Sequence, residues 1–180
     1  MVKSEYQKVA DGKKTAKSLF IKEGKRTPLL VVFAPKKNLD RDAFYELLDG
    51  LLILPGKVVV VSDDEHADAE NRLKGKISWV NTKDGRNSKD IENYLMAADM
   101  ALVFEEHMHE LENFMAKGVV VIGHDKSPFL VDYKPIEETG NSFTFENYGP
   151  WEIFKALVRA HETFVFSHDW QHIVRGVLNG

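Results

Sequence analysis

The sequence of 180 residues contains no cysteine. The chain can therefore form neither a disulfide framework nor a zinc site with thiolate ligands, and this composition fits a reducing compartment. The N-terminus is polar and lysine-rich, unlike a secretory signal, and no apolar run approaches the ~20 residues of a membrane helix. We therefore expect a cytoplasmic protein that does not bind a membrane.

An excess of positive charge is also missing. The formal net charge is -4 and the isoelectric point is near 6.0, which argues against nucleic acid as the main partner. The N-terminal arm is nevertheless basic. It is interpreted as a solvated helix, with an anion-facing surface as the alternative. Its basic residues are Lys3, Lys8, Lys13, Lys14, Lys17, Lys22, Lys25 and Arg26.

The sequence does contain short apolar runs that alternate with amphipathic helical patterns. Such runs, rich in β-branched residues, are typical of strands buried on both faces of a parallel sheet. A helical pattern such as Phe44, Leu47 and Leu51 recurs at i, i+3 and i+7. Gly118 is expected to close the helix predicted over 109–117 in a left-handed conformation. The predicted strands are 29–34, 58–61, 77–80, 100–104, 119–122 and 142–145.

This alternation predicts an α/β fold, a doubly wound, mainly parallel six-stranded Rossmann-like sheet with helices on both faces. A strand order near 3-2-1-4-5-6 is the leading topology, and ligands of such sheets bind at the carboxyl ends of the strands. We divide the chain into a basic N-terminal helix or linker, 1–26, and a single domain, 27–180. The loops expected around one crevice are 35–40, 62–65, 81–86, 105–110 and 123–128.

One segment resembles a motif of a known enzyme family. Residues 97–103 (AADMALV) resemble the "xADxxLV" strand of the retaining GT-B glycosyltransferases. In that family a glutamate follows the strand, a second glutamate comes after seven further residues, and a glycine lies five residues beyond it. Counting back from Gly118, the two glutamate positions fall on Glu105 and Asn113.

Further segments resemble glycogen and starch synthases in the same order along the chain. The chain is therefore identified as similar to the C-terminal, nucleotide-sugar-binding domain of a bacterial glycogen or starch synthase. The resembling segments are 10–23 (the helix that connects the two halves), 29–40 ("RLxxQKGLD"), 132–145 ("DY…GtGFxF") and 170–176 ("W…RGM").

The resemblance implies a domain that binds ADP-glucose or UDP-glucose as donor substrate, without a cofactor, and helps to transfer glucose to an α-glucan acceptor with retention of configuration. Lys37 would take the place of the phosphate-binding lysine, whose charge stabilises the departing diphosphate, and Glu105 would contact the sugar. Backbone amides around 106–110 are expected near the donor. The other residues predicted to bind the donor are Lys36, Asn81, Thr82, His107, Asn113, Asp125 and Lys126.

The resemblance also implies a partner, the N-terminal half of a GT-B enzyme. In this family the active site lies between two halves, and closure of the cleft completes it. The chain by itself is therefore expected to be inactive.

The sequence departs from the family at three places. Residues 31–36 lack the family's arginine, whose bidentate contacts a lysine cannot reproduce. Asn113 replaces the second glutamate and would bind a ribose less strongly than a carboxylate. His124 and Asp125 stand where a Gly-Gly turn cradles the phosphate. These departures keep two alternatives open: a degenerate, non-catalytic GT-B-like module that binds a glucan or a protein, and an unrelated flavodoxin-like regulatory domain.

Histidines are the remaining candidates for metal ligands. His107 and His109 lie among glutamates, and His168 and His172 lie one helical turn apart near an aspartate. Neither group has a closed ligand set with a known spacing. We therefore predict no metal site, and we expect His168 and His172 on the exposed side of the last helix.

Three bulky side chains are assigned structural roles. His161 falls in the apolar stripe of its helix and is expected in the core. Trp151 and Trp170 fit core or helix-packing roles better than stacking on a sugar, and Trp79 is the third tryptophan able to stack.

Overall fold

The computed structural model describes residues 4–21, 26–35, 38–62, 73, 75, 77–82 and 88–179, with only the backbone at 38–41, 81 and 88. Its strands are β1 (Leu29–Phe33), β2 (Lys57–Ser62), β3 (Ile77–Asn81), β4 (Met100–Leu102), β5 (Val120–His124) and β6 (Ser142–Phe145). They form a six-stranded, all-parallel sheet in the order β3-β2-β1-β4-β5-β6. The predicted fold class and strand order are both confirmed.

Helices follow β1, β3, β4 and β6, as the alternating pattern predicts, whereas turns join β5 to β6. Pro150 begins the helix Pro150–Val165 at a position where its missing N–H is not needed. Gly118 follows the helix Leu111–Ala116 with a φ of 62°, and its N–H donates to the Met115 carbonyl, so it closes the helix as expected. The helices are α1 (Glu5–Lys17), α2 (Asn38–Ile53), α3 (Ser88–Ala97), α4 (Leu111–Ala116), α5 (Pro150–Val165) and α6 (Ser167–Asn179), with a 3₁₀-helix at Glu105–Glu110.

Alternating side chains of the strands divide the core into two layers. Leu30 and Val32 of β1 pack with buried residues of α2, α5 and α6 on one face of the sheet. Leu29 and Val31 point to the other face and pack with buried residues of α3 and α4. Full burial of each such side chain contributes about 1.5–3 kcal/mol, so β1 is held from both sides.

The switch point of the sheet lies between β1 and β4. Val31 pairs with Val59 of β2 on one side and with Ala101 of β4 on the other. The connections therefore leave β1 and β4 in opposite directions, which opens a crevice where these strands end. Since all strands are parallel, we call this end of the sheet the carboxyl edge and the opposite end the amino edge.

Two helix boundaries differ from the prediction. The helix expected over 109–117 is replaced by the 3₁₀-helix Glu105–Glu110 followed by the short α4. The connecting helix expected over 10–23 begins earlier, at Glu5, and ends at Lys17. Ser4 and Gln7 form a capping box there, which satisfies two backbone N–H groups and fixes the start of the helix.

The basic arm is not simply a solvated helix. Lys13 donates to the Ala98 carbonyl, and the Lys17 ammonium lies 2.5 Å from the Asp99 carboxylate. Asp99 also accepts the backbone N–H of Leu29 at 2.8 Å. The arm therefore attaches α1 to the point where β1 and β4 begin.

The large polar and aromatic side chains divide between core and surface. His161 is buried, and its Nδ1 lies 2.8 Å from the Leu157 carbonyl, which confirms its core position. Trp170 is buried as expected. Trp151, for which a core or helix-packing role was predicted, is not in the core: its side chain is 79% exposed and packs edge-on against Phe154 of the same helix. Among the described helices, none has both the length and the apolar character required to cross a bilayer.

Candidate functional site

A cavity of about 290 Å³ opens at the carboxyl edge, beside the ends of β4, β5 and β6. Small-molecule sites typically begin at about 300 Å³, so the space suits a sugar or a phosphate group. Its position agrees with the ligand position expected for a doubly wound sheet. The residues that line it are Glu105, Met108, His124, Lys126, Ser127, Pro128, Phe129 and Tyr148.

Glu105 reaches the cavity because β4 stops just before it. Phe104 is fully buried and has an extended backbone, and the chain then turns into the 3₁₀-helix with Glu105 at its first position. The ring of His107 lies 5.4 Å from the ring of Phe33 at the end of β1, and this contact packs the 3₁₀-helix against the sheet. An apolar anchor therefore holds an exposed carboxylate at the rim of the cavity.

The amides of this 3₁₀-helix are partly used within the chain. The N–H of His107 donates to the Phe104 carbonyl at 2.9 Å. The ring of His109 is 73% exposed, with Nδ1 3.0 Å from the Glu106 carbonyl. Donor-binding amides were expected in the segment 106–110. Of these, the amide of His107 already donates to the Phe104 carbonyl.

His124 ends β5 and forms the floor of the cavity. Its Nδ1 lies 3.2 Å from the Lys126 amide nitrogen and 2.9 Å from an Asp125 carboxylate oxygen. These contacts require opposite protonation states, since the amide needs a lone pair on Nδ1 and the carboxylate needs a proton. The turn fixes the amide, whereas the exposed Asp125 side chain can rotate. We therefore assign Nδ1 as the acceptor from the Lys126 N–H.

Tyr148 forms an aromatic wall after β6. Its ring lies 4.8 Å from the ring of His124, 5.5 Å from that of Phe145 and 6.2 Å from that of Phe104. Together with Phe129 across the cavity, it offers apolar surface between the charged groups. Such a mixture can pack against the face of a sugar while the polar groups orient it.

The charges around the cavity have both signs. Lys126 supplies an exposed ammonium, Glu105 an exposed carboxylate, and Asp125 a second carboxylate beside Lys126. The ammonium can bind a phosphate as a point charge, and a carboxylate can accept hydrogen bonds from sugar hydroxyls. The site can therefore hold a polar ligand that carries both phosphate and hydroxyl groups.

Several predicted site residues lie away from this cavity. Asn113 is exposed on α4, and its amide oxygen accepts a hydrogen bond from Lys117, which also pairs with Glu92 at 3.2 Å. Thr82 follows β3, and its N–H donates to the Ser62 carbonyl at 3.0 Å. Because β3 is three strands from β4, it lies about 14 Å away.

Not all predicted residues have a described side chain. Asn81 ends β3, where the structure describes only the backbone. Lys36 and Lys37 lie outside the described residues. Their described neighbour Pro35 follows β1. Because β1 pairs with β4, the end of β1 lies beside the strand that leads to Glu105.

Four of the side chains that line the cavity were not predicted from the sequence: Met108, Ser127, Phe129 and Tyr148. Tyr148 follows the resembling segment 132–145 without belonging to a motif, and only the pairing of β5 with β6 brings it to His124. Ser127 lies in the loop 123–128, which was assigned to the crevice, and Phe129 directly follows that loop. The loop 123–128 was therefore predicted at the crevice, but the individual side chains that line the cavity were not.

A larger cavity of about 430 Å³ lies at the amino edge, between α1 and α6. Its residues include Lys13, Lys17, Asp99 and Trp170. Lys13 binds a carbonyl, and Lys17 and Asp99 bind each other, so these charges already serve the attachment of α1. We therefore place the functional site at the smaller cavity, beside the switch point.

Comparisons of sequence find relatives that match only a short segment of this chain. No protein-family model matches the chain. A segment of 41 residues is 46% identical to glycogen synthase 1 of Synechocystis sp. and 39% identical to glycogen synthase of Trichodesmium erythraeum. The match covers 23% of this chain and 9% of each relative.

Comparisons of structure cover nearly the whole chain. Anabaena HepE, solved in complex with UDP and glucose, matches 94% of this chain with a TM-score of 0.64 and 12% identity. WaaG, a glycosyltransferase involved in lipopolysaccharide biosynthesis, matches 99% with a TM-score of 0.60 and 14% identity. The chain spans 46% and 47% of the lengths of these two proteins. It thus has a GT-B glycosyltransferase-like fold, and over a short segment it is similar in sequence to glycogen synthases.

Proposed function

We propose that the chain is the donor-binding domain of a retaining glucosyltransferase similar to glycogen and starch synthases. It binds ADP-glucose or UDP-glucose at the carboxyl edge of the sheet. The observation that carries this proposal is the cavity in which Glu105 and Lys126 line a common space of about 290 Å³ beside the switch point. The matched segment of the glycogen synthases and the UDP and glucose bound to HepE support the choice of ligand.

Each side chain has a role in this proposal. Glu105 accepts hydrogen bonds from the glucose hydroxyls, and Lys126 with Lys37 neutralises the diphosphate as it departs. Tyr148 packs against the glucose ring. Neither Thr82 nor Asn113 lines this cavity, so in this proposal they contact the nucleotide, which extends along the carboxyl edge, and not the sugar.

The proposal includes a second half that supplies the rest of the active site. The cavity is an open depression at the edge of a single sheet, where water reaches the donor. Glucosyl transfer in place of hydrolysis requires the exclusion of water, and an α-glucan acceptor needs a second wall to bind against. The two structural relatives are about twice as long as the part that this chain matches, which leaves room for that wall.

Calorimetric titration with ADP, UDP, ADP-glucose and UDP-glucose tests the proposal. We expect one nucleotide series to bind, with a glucose conjugate among its ligands. Glu105→Gln should weaken binding of the conjugate but not of the free diphosphate, since Glu105 faces the sugar. Lys126→Met and Lys37→Met should weaken both at least about tenfold, because each removes a charge-assisted contact.

Lys134→Met provides a matched control. Lys134 is an exposed lysine that pairs with Glu137 at 3.6 Å, near the start of β6 at the amino edge. This substitution should leave the affinity unchanged. If none of the four ligands binds at millimolar concentration, or if Lys134→Met lowers affinity as much as Lys126→Met, the proposed site is wrong.

A degenerate, non-catalytic module is the second candidate. Two observations favour it: Asn113 stands at the second glutamate position and already binds Lys117, and Asp125 places a carboxylate next to Lys126. This candidate predicts binding of an α-glucan by the isolated chain and no competition by any nucleotide. The titrations above therefore separate the two functions.

A further inference from the structure

Three potential metal ligands meet at the amino edge, away from the donor cavity. Glu138 lies in the turn before β6, and His168 and His172 lie one turn apart in α6. The His168 Nδ1 is 3.9 Å from one Glu138 carboxylate oxygen, and the His172 Nδ1 is 3.7 Å from the other. The three ligand atoms all lie within 4.8 Å of one another.

These separations suit a shared cation better than direct hydrogen bonds. A hydrogen bond from an imidazole N–H to a carboxylate is about 2.7–3.2 Å long, and both contacts are longer. Ligands of a tetrahedral Zn²⁺ at about 2.0–2.1 Å stand about 3.4 Å apart. The two histidine–carboxylate contacts therefore need to shorten by about 0.3–0.5 Å, and no two ligand atoms by more than about 1.4 Å, which rotation of these surface side chains supplies.

The fold brings the ligands together before any ion binds. The N–H of Lys134 donates to the Thr139 carbonyl at 2.9 Å and closes the turn, in which Glu138 has a φ of 51°. Gly140 follows this turn and its carbonyl lies against Gly176 of α6, too close for a side chain there. The turn and the helix are thus fixed against each other. Because His168 and His172 lie one turn apart on the same helix, both face Glu138.

Tyr133 adds an independent observation. Its hydroxyl is buried and has no hydrogen-bond partner among the described residues. Burial raises the pKa of this hydroxyl, and the nearby carboxylates of Asp169 and Glu138 raise it further. This unpartnered buried donor is available to a carboxylate ligand as the outer hydrogen-bond partner that metal ligands usually have.

We propose that Glu138, His168 and His172 bind a divalent cation of the class that imidazole prefers, with Zn²⁺ as the probe. Asp169, whose carboxylate lies 3.6 Å from the His168 Nδ1, is the candidate for a fourth ligand. The ion ties the turn before β6 to the start of α6. Its role is structural, because the donor cavity lies at the opposite edge of the sheet.

Titration of tag-free, chelator-treated protein with Zn²⁺ tests the site. We expect one Zn²⁺ per chain and a higher melting temperature when Zn²⁺ is bound. His172→Ala and Glu138→Gln should weaken binding at least about 100-fold, since loss even of an outer partner costs 10–100-fold. Both side chains lie at the surface, so circular dichroism should find the variants folded.

His109→Ala is the matched control, because His109 is an exposed histidine beside Glu110 at the carboxyl edge. It should bind Zn²⁺ like the unaltered chain. The site is refuted if the chain shows no saturable binding, or if His172→Ala and Glu138→Gln bind Zn²⁺ as tightly as the unaltered chain. Nucleotide-sugar binding should be the same with and without Zn²⁺.

Discussion

The backbone of Gly176 in α6 lies directly against the carbonyl group of Gly140. A Cβ built on Gly176 would be 2.6 Å from the Gly140 oxygen, closer than real Cβ contacts. Gly140 has a φ of 104°, and a Cβ there would be 2.5 Å from the Asp132 oxygen. This contact explains why α6 carries a glycine in its interior, where glycine normally costs about 0.5–1 kcal/mol.

Alanine substitutions at two helical glycines should therefore have opposite signs. Gly176→Ala should lower the free energy of unfolding by about 1–3 kcal/mol, because the new methyl group forces α6 away from the turn. Gly12→Ala should raise it by about 0.5–1 kcal/mol, since no atom lies within 4 Å of a Cβ at that position in α1. Urea unfolding of both variants measures the two changes, and an equal effect of both would contradict this packing.

Asp99 is expected to be the most costly charged residue to remove. Its carboxylate is buried, binds the Lys17 ammonium and accepts the N–H of Leu29. Asp99→Ala should lower the free energy of unfolding by about 3–5 kcal/mol, because it leaves a cation without its partner. Asp99→Asn should cost less, since the amide oxygen can still accept from Leu29. The exposed Glu162→Ala should stay within about 0.5 kcal/mol of the unaltered chain.

Lys13 should make stability depend on pH in alkaline solution. Burial lowers the pKa of Lys13 from 10.5 to about 8, with Lys17 and Lys117 lowering it further and Asp99 opposing them. Between these two pH values the unfolded chain binds the proton and the folded chain does not. Stability therefore rises with pH across this window and is lowest, as far as Lys13 is concerned, below about pH 8.

The size of this pH-dependent change in the free energy of unfolding can be bounded and measured. The full pKa difference corresponds to about 3 kcal/mol, and because the Lys13 side chain is partly exposed we expect about 1–2 kcal/mol. Urea unfolding at several pH values should find this rise in the unaltered chain and lose it in Lys13→Met. The exposed neighbour Lys14→Met should keep the rise, and a rise that survives in Lys13→Met would assign it to another group.

Tyr148 should contribute to donor binding through its ring rather than its hydroxyl. The ring packs at 4.8 Å from that of His124 in the cavity. Tyr148→Ala should weaken nucleotide-sugar binding about 3–10-fold, the usual effect of one aromatic contact, whereas Tyr148→Phe should bind normally. Calorimetry measures both, and a loss of affinity in Tyr148→Phe would show that the hydroxyl is the essential group.

The order of the sheet could be predicted because its strands are strongly patterned. A run such as LLVVF, buried on both faces, is compatible with a central parallel strand and with few other positions. Helix boundaries were less predictable. The segment Glu105–Glu110 contains no strong start signal and becomes a 3₁₀-helix, since Phe104 supplies no side-chain cap.

The candidate site could be predicted only in part. Glu105 was predicted by counting the family's spacing back from Gly118, and Lys126 by its place in the loop 123–128, and both residues line the cavity at the carboxyl edge. Asn113 was counted into the site by its spacing, but its side chain turns to Lys117 one helical turn away. Spacing along the chain does not determine with which of several polar neighbours a surface amide side chain forms its hydrogen bond.

The sequence by itself determined the α/β class, the parallel sheet and the edge at which we place the candidate site. These follow from local hydrophobic period and chain connectivity. Only the tertiary structure decided that Tyr148 contacts His124, that Gly176 contacts Gly140, and that Glu138 in the turn before β6 lies beside His168 and His172 of α6. Such meetings depend on how helices and turns pack around the sheet, and packing is set by the shapes of distant side chains, which no local pattern in the sequence encodes.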